Sequence, residues 1–404
     1  MHVDPAQPFP YEILRRFPDV EAPNLQAWDA TDRLLGERGV AEAASRSLTG
    51  GDIAVIGDGY GALALRLAAA GLSGVRVHQD LATGRAALER NAAALGFKGI
   101  QRPEELGPEL LDGARLVLLQ LPRGLAEFEE IADAVARWAT PDVQVIAGGR
   151  VKHMTLAMND VLRSRFASVR AELAVQKSRL LVAEGPLPVP ERPPFPVCER
   201  HDDVGLTLCA HGAAFAGSRL DPGTRLLLGF VDRMPAGDAM DLGCGTGALA
   251  AEYALAHPTA TVVATDRSAG AVRSARATME ANGVASRVAV EHDDAASSRA
   301  EASADVVLLN PPFHLGASVH AGAALKLFDA AARVLRPGGE LWTVYNTHLD
   351  YRQRLKATVG PTSVQGRAGK FTVTRSVRTP RAGHGRGSQG DGSGQGNVSE
   401  RTIT

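Results

Sequence analysis

Four apolar residues, Val306 to Leu309, run straight into Asn310, Pro311, Pro312 and Phe313. The apolar run reads as a buried strand, and proline cannot donate to a sheet ladder, so the strand must stop there. The stop leaves an amide, two carbonyls and an aromatic ring together at a strand end. Such a set suits an exocyclic amine on an aromatic base, whose lone pair is delocalised into the ring and attacks poorly. The Asn310 side-chain oxygen and the Pro311 carbonyl can each accept one N–H, orienting the amine and polarising its nitrogen. Proline fixes the loop and brings an acceptor without a competing donor. Phe313 can stack on the base, a contact worth roughly 1–3 kcal/mol. A plain proline turn is the bland reading, and His314 is placed either to touch the base or backbone or to support the site from behind.

The electrophile is indicated upstream. Asp241 to Gly247, DLGCGTG, follows a second apolar run and opens an amphipathic stretch. Glycines there permit tight turns and close approach of backbone to a ligand. Gly243, Gly245 and Ala248 also match a dinucleotide spacing. Asp241 argues against that ligand, because a carboxylate at the strand tip attracts an ammonium and repels a pyrophosphate. The next strand ends in Asp266, placed to grip ribose hydroxyls or to cap the following helix. The third ends in Asp293 and Asp294, near an adenine edge. A glycine loop with carboxylates at three successive strand ends describes S-adenosylmethionine rather than NAD. The chemistry is in-line methyl transfer driven by positioning, with no strong base required. A target inside a duplex must be flipped or already unpaired. Cys244 fills a small space in the loop, His257 ends a helix, and no metal site is expected.

These strand ends need a scaffold, and the chain supplies it twice. At 404 residues, two domains are the prior; 45% hydrophobic and 22% charged residues are ordinary for a globular protein. A net charge of −1 gives no global attraction to nucleic acid, so any such surface must be a local patch. The three cysteines, Cys198, Cys209 and Cys244, are odd in number and form no C-x-x-C pair, which predicts neither a disulfide framework nor zinc and fits a reducing cytoplasm. No signal peptide or membrane span is read. Apolar runs alternate with amphipathic ones, which predicts βαβ units and a parallel sheet. In the first half strands are expected at 52–56, 116–121 and 143–147, with helices at 25–38, 61–70, 84–95 and 125–139. In the second half strands are expected at 239–242, 261–265, 288–291, 306–309, 340–345 and 371–377. Helices there are expected at 247–256, 269–282 and 322–335. The expected division is a first domain over 1–185, a proline-rich linker over 186–200, a catalytic domain over 201–379 and a disordered Gly/Ser-rich tail over 380–404.

The two halves also resemble each other. VIGDGYGAL (Val55–Leu63) parallels MDLGCGTGAL (Met240–Leu249), and LQLP (Leu119–Pro122) parallels LNPP (Leu309–Pro312), at nearly equal spacing. One fold duplicated, with polar residues kept only in the second copy, accounts for this.

DLGCGTG followed by NPPFH resembles the class I S-adenosylmethionine-dependent ribosomal RNA guanine-N2 methyltransferases. Similar stretches include NLQAWDATDRLL (Asn24–Leu35), IAGGRVKHMT (Ile146–Thr155), FAGSRLDPGTRLLL (Phe215–Leu228) and NTHLDYRQRLK (Asn346–Lys356). The LQAWDA opening and HLDY most resemble the large-subunit (23S) branch, with the small-subunit (16S) branch next. The resemblance implies an α/β fold of two Rossmann-like methyltransferase domains in tandem, the first degenerate. It also implies that Asp241, Gly243, Gly245, Gly247, Asp266 and Asp294 hold the cofactor and that Asn310, Pro311, Pro312 and Phe313 form the transfer site. One departure is the Asp293–Asp294 pair, where the family carries Asn. The implied partner is ribosomal RNA or a ribosomal subunit particle, met by a monomer. In the first copy Gln120-Leu121-Pro122 implies no chemistry, and Arg150, Lys152, His153, Arg163, Arg165, Arg170, Lys177 and Arg179 suit RNA phosphates. Alternatives are a protein-glutamine or DNA-adenine acceptor, a silent ribosome-assembly binder and, most remotely, a nicotinamide dehydrogenase.

Overall fold

The computed structural model describes residues 8–103, 105–312 and 318–379. In the first half, strands β1 (Ile53–Ile56), β2 (Arg76–His78), β3 (Leu116–Gln120), β4 (Gln144–Arg150), β5 (Phe166–Ala171) and β6 (Ser178–Pro186) form one sheet, ordered β2-β1-β3-β4-β6-β5. The first four are parallel, while β6 and β5 join antiparallel. Helices α1 (Ala30–Ser45), α2 (Ala62–Ala69), α3 (Ala82–Leu95), α4 (Pro108–Leu111), α5 (Leu125–Trp138) and α6 (Leu156–Arg163) cover it.

The hairpin β7 (Val197–His201) and β8 (Leu206–Ala210) leads into the second half. There β9 (Ala239–Leu242), β10 (Val262–Asp266), β11 (Val288–His292), β12 (Ala304–Leu309), β13 (Leu335–Asn346), β14 (Thr362–Ala368) and β15 (Phe371–Val377) are ordered β11-β10-β9-β12-β13-β15-β14. Helices α7 (Pro222–Leu228), α8 (Ala248–Ala256), α9 (Ala269–Ala281), α10 (Ser318–Val334) and α11 (Arg352–Thr358) complete it. Without β11 the two strand orders coincide. The first half keeps a one-residue trace of that edge strand, where Gln101 exchanges backbone hydrogen bonds with Val75 and Val77.

The central strands explain why these segments form sheets. Each of β1 and β9 is buried along its whole length, as strands covered on both faces must be. Each sheet therefore carries an apolar cluster on either side, with Leu35 and Phe128 on opposite faces of the first and Trp342 and Phe328 on opposite faces of the second.

Several boundaries differ from the sequence reading. α1 starts at Ala30 rather than Leu25, because Asp29 caps it and Asp32 completes a reciprocal capping box. The stretch expected as linker, 186–200, enters the hairpin at Val197. That hairpin also overturns the expectation about cysteine. Cys198 and Cys209 sit directly opposite in the β7–β8 register and are disulfide-bonded, with Cα atoms 4.0 Å apart. Neither segment was read as a strand, so the pairing was invisible.

The halves dock by nearly symmetric contacts. The Ala82 N–H donates to the Arg267 carbonyl and the Ala269 N–H to the Asp80 carbonyl, both at 2.8 Å. The Gly270 N–H adds a bond to Asp80 Oδ1, also at 2.8 Å. Below them the Glu130 carboxylate of α5 accepts from His211 Nδ1 at 2.6 Å and from the Gly212 N–H at 2.7 Å, with Arg273 at 3.2 Å. Gly212 lies so close to α5 that a Cβ there would fall 2.3 Å from the Ala126 carbonyl oxygen. Among the described residues no helix is long and apolar enough to cross a membrane.

Candidate active site

The site lies where β9 neighbours β10 on one side and β12 on the other, the point at which strand order reverses and α/β sheets open a crevice. Leu308 pairs with Asp241 and Thr265 with Leu242, so Asn310 and Asp266 emerge on either flank of Gly243. A cavity of about 880 Å³ opens there, lined from the second half by Asp241, Gly243, Gly245, Asp266, Asp294 and Asn310 among others. Pro311 and Pro312 also line it. Phe313 and His314 lie outside the described residues. The first half contributes as well, through Pro18, Asp19, Val20 and Thr83.

The glycine loop has one face open and one closed. Gly243 and Gly245 have φ of +77° and +56°, and a Cβ at either would meet nothing within 4 Å. They form a cradle that a ligand can approach closely. Gly247, expected at the cofactor, is not among the residues lining the cavity. It caps α8 in a left-handed conformation, and a Cβ there would lie 2.7 Å from Met279 of α9. The missing Cβ lets α8 and α9 pack closely.

Asp241 is almost fully buried and accepts from the Ala250 N–H of α8 at 3.0 Å. Burial, with Asp266 adding negative charge, pushes its carboxyl up to about 7. A cationic ligand would restore the ionised form. Asp266 accepts from the Gly245 N–H at 3.0 Å and the Ser268 N–H at 2.9 Å, so it braces the glycine loop. It is not the cap of α9; the Ser268 side chain is. Each Asp266 oxygen retains a second lone-pair direction for a hydroxyl donor. Asp294 faces the cavity with its carboxylate paired to Lys326 of α10. Burial opposes the charge on Asp293, yet hydrogen bonds from Ser297 and Ser298 hold its carboxyl below the usual range. The Cys244 thiol is pushed up by burial first and by Asp266 and Asp241 next, as befits an inert space-filler.

Asn310 carries the most informative geometry. Its Nδ2 donates to Asp221 Oδ2 at 3.0 Å and to Thr224 Oγ1 at 2.8 Å. A carboxylate only accepts, so the amide cannot be turned round. The Asn310 Oδ1 is therefore fixed on the other side, buried and without a protein partner. Thr265 Oγ1 and Asn346 Oδ1, also on the cavity wall, are likewise buried and unpartnered. Unpaired buried polar atoms are rare in native proteins, and three on residues lining one cavity mark a place for a polar ligand. The glycine cradle, the buried carboxylate and this wall fit S-adenosylmethionine beside an amine-bearing base.

Sequence reasoning missed Asp221, Thr224 and Asn346. D-P-x-T at 221–224 is a readable helix start with Pro at N1, but nothing local says that its cap also holds a residue 89 positions away. Asn346 ends an apolar strand, a signal available in ELWTVYN. Of the proposed basic surface, Arg163, Arg165 and Arg170 are occupied by Asp160, Asp133 and Glu172. Arg150, Lys152 and His153 are instead gathered with Arg33, Arg123 and Trp28 around an open cleft of about 610 Å³.

Comparisons with known proteins agree with this architecture. Residues 205–375 match the Methyltransferase small domain and residues 7–186 the RLMG N-terminal domain. A Streptomyces coelicolor protein named Ribosomal RNA large subunit methyltransferase G is 34% identical, the match covering 92% of this chain and 99% of that one. A Pseudomonas paraeruginosa protein of the same name is 38% identical, over 87% of this chain and 93% of that one. A solved 16S rRNA N2 methyltransferase from T. thermophilus, in complex with AdoMet and guanosine, shares the fold with a TM-score of 0.68 at 23% identity, covering 87% of this chain and 92% of that chain. Identity at this level along nearly the whole length of both chains means that this chain belongs to the ribosomal RNA large subunit methyltransferase G family.

Proposed function

We propose that the chain methylates the exocyclic N2 amine of a guanine in large-subunit (23S) ribosomal RNA, using S-adenosylmethionine. The observation that carries the reading is the clamped amide: Asp221 and Thr224 turn Asn310 so that its oxygen stands unpaired on the cofactor cavity. That oxygen and the adjoining Pro311 carbonyl accept the two N–H groups of the amine. The lone pair is thereby aimed across the cavity toward the glycine cradle. When bound there, the cofactor supplies a methyl group on a sulfonium. Asp241 neutralises its amino-acid ammonium, and Asp266 takes its ribose hydroxyls. As the N–C bond forms and the S–C bond breaks, the nitrogen becomes acidic and releases one proton through its acceptors to water. Phe313, Phe215 and Phe371 are candidates to stack on the base; the last two line the cavity.

The first domain, over 1–185, is assigned to RNA docking through the Arg33–Arg123–Arg150–Lys152–His153 cleft, whose Trp28 can stack on a base. The catalytic domain covers 201–379. We place the enzyme in the cytoplasm, as a monomer. The test is methyl transfer from labelled cofactor to separate RNA, DNA and protein fractions. Label in N2-methylguanosine of 23S RNA is expected; label only in protein or DNA refutes the assignment.

A further inference from the structure

The degenerate half retains a cavity of about 440 Å³ at the same place in its own sheet, beside the interface with the second half. Its cofactor seat is closed. Val55 stands where the second half has Asp241, and Gln79 folds across the glycine turn. Gln79 Nε2 donates to the Asp58 carbonyl at 2.5 Å, and Oε1 accepts from the Leu81 N–H at 3.0 Å. A Cβ at Gly57 would lie 3.0 Å from the Gln120 carbonyl oxygen, whereas its counterpart Gly243 faces open space.

Its base seat, by contrast, persists. Gln120 occupies the Asn310 position and is held by one hydrogen bond where Asn310 has two: Nε2 donates to Asp32 Oδ1 at 3.0 Å, and Oε1 is left buried without a partner. Asp32 stands on α1 where Thr224 stands on α7, three residues after the capping Asp29 and Asp221. Two more walls of this cavity hold unpartnered buried atoms, His78 Nδ1 and Arg273 Nε. Glu127 also lines it; burial, then Asp80 and Glu130, push its carboxyl up to about 7. Ile56, Leu106 and Leu121 supply flat apolar surface. An acceptor amide, a carboxyl group and a guanidinium N–H around apolar walls match the edge of a base bearing an amine and a ring acceptor.

We propose that this interdomain cavity is a second base site, which takes an amine-bearing nucleobase of the RNA, guanine foremost, and holds it without methylating it. The proposal rests on the RNA reading above for the source of the base. The full chain, saturated with S-adenosylhomocysteine, is titrated calorimetrically with guanosine. Two equivalents are expected. Gln120→Leu should remove one, and so should Gly59→Leu, which deletes no polar group and projects from a position where a Cβ meets nothing within 4 Å. Asn310→Ala should remove the other. Both first-half variants should also bind a large-subunit RNA fragment about tenfold more weakly, the loss of one base contact. A single equivalent, lost in Asn310→Ala and untouched by Gln120→Leu and Gly59→Leu, overturns the site. Two equivalents with unchanged RNA affinity overturn the RNA as source and assign the cavity to free nucleosides. Methyl transfer by the unaltered chain is scored separately, so failure of the reaction and failure of this site are told apart.

Discussion

Two sheets of the same order carry two clamped amides, and only one of them faces an open cofactor seat. In the second half Asp221 and Thr224 hold Asn310, Asp241 lies under the loop, and Gly243 fronts empty space. In the first, Asp32 holds Gln120 and Gln79 fills the turn. Val55 stands at the Asp241 position, while Asp58 of the turn supplies the buried carboxylate that accepts from the Ala64 N–H. The glycine caps are equivalent: Gly61 and Gly247 both begin their helices in left-handed conformations and press on the next helix. Backbone and packing are thus alike in the two halves, while the cofactor seat of one is filled by its own side chains. Methyl transfer needs both seats, whereas holding a base needs only one.

The comparison can be broken most severely at the amide. Asn310→Ala should lower kcat roughly 100-fold or more, as loss of an oriented polar group in a dry site does, while S-adenosylhomocysteine affinity stays near normal by calorimetry. Retained activity would end the assignment of Asn310. Thr224→Val keeps both bonds to Asp221 Oδ2, the helix cap included, and removes the Oγ1 acceptor of the Asn310 NH2. A kcat loss of about tenfold is expected with little change in melting temperature. A fall in melting temperature with kcat unchanged would make Thr224 merely structural.

Cofactor stoichiometry sharpens the contrast. S-adenosylhomocysteine should bind at one equivalent per chain, because the first-half seat is filled by Gln79. Its methyl-donor counterpart should also show a pH dependence. The folded carboxyl of Asp241 is raised, so its ionisation costs the ligand-free protein stability as pH rises from the ordinary carboxylate range through about 7. A ligand ammonium favours the ionised form. Affinity should climb with pH by at most about tenfold per unit below 7 and level off above it. A flat profile between pH 5 and 8 would remove Asp241 from the ammonium contact.

Smaller effects test the docking of the halves. Gly212→Ala pushes a methyl group into the backbone of α5 and should cost about 1–3 kcal/mol in denaturant unfolding, with the site's own residues untouched. The smallest effect is expected at the hairpin. Cys198→Ser with Cys209→Ser removes a bond remote from the cavity lining and should leave kcat unchanged.

Much of the site was legible because its residues sit at chain punctuation. Asn310 follows an apolar run stopped by proline, Asp266 ends a strand, and Gly243 and Gly245 interrupt strand and helix patterns. What escaped depended on distant partners. Arg163, Arg165 and Arg170 look like free cations along the chain and prove to be paired. The close approach of Gly247 to Met279 of α9 is likewise invisible along the chain.

Taken alone, the order of residues determined the βαβ alternation, the duplication and the chemistry at strand ends, because periodicity and turn residues act over a few positions. Folding decided which atoms of those residues remain unsatisfied. A hydrogen bond from Asn310 to a helix cap, a glutamine lying across a vestigial turn, and two cysteines meeting across a hairpin all require segments far apart in the chain to be brought within about 3–4 Å, a range at which only packing can choose partners.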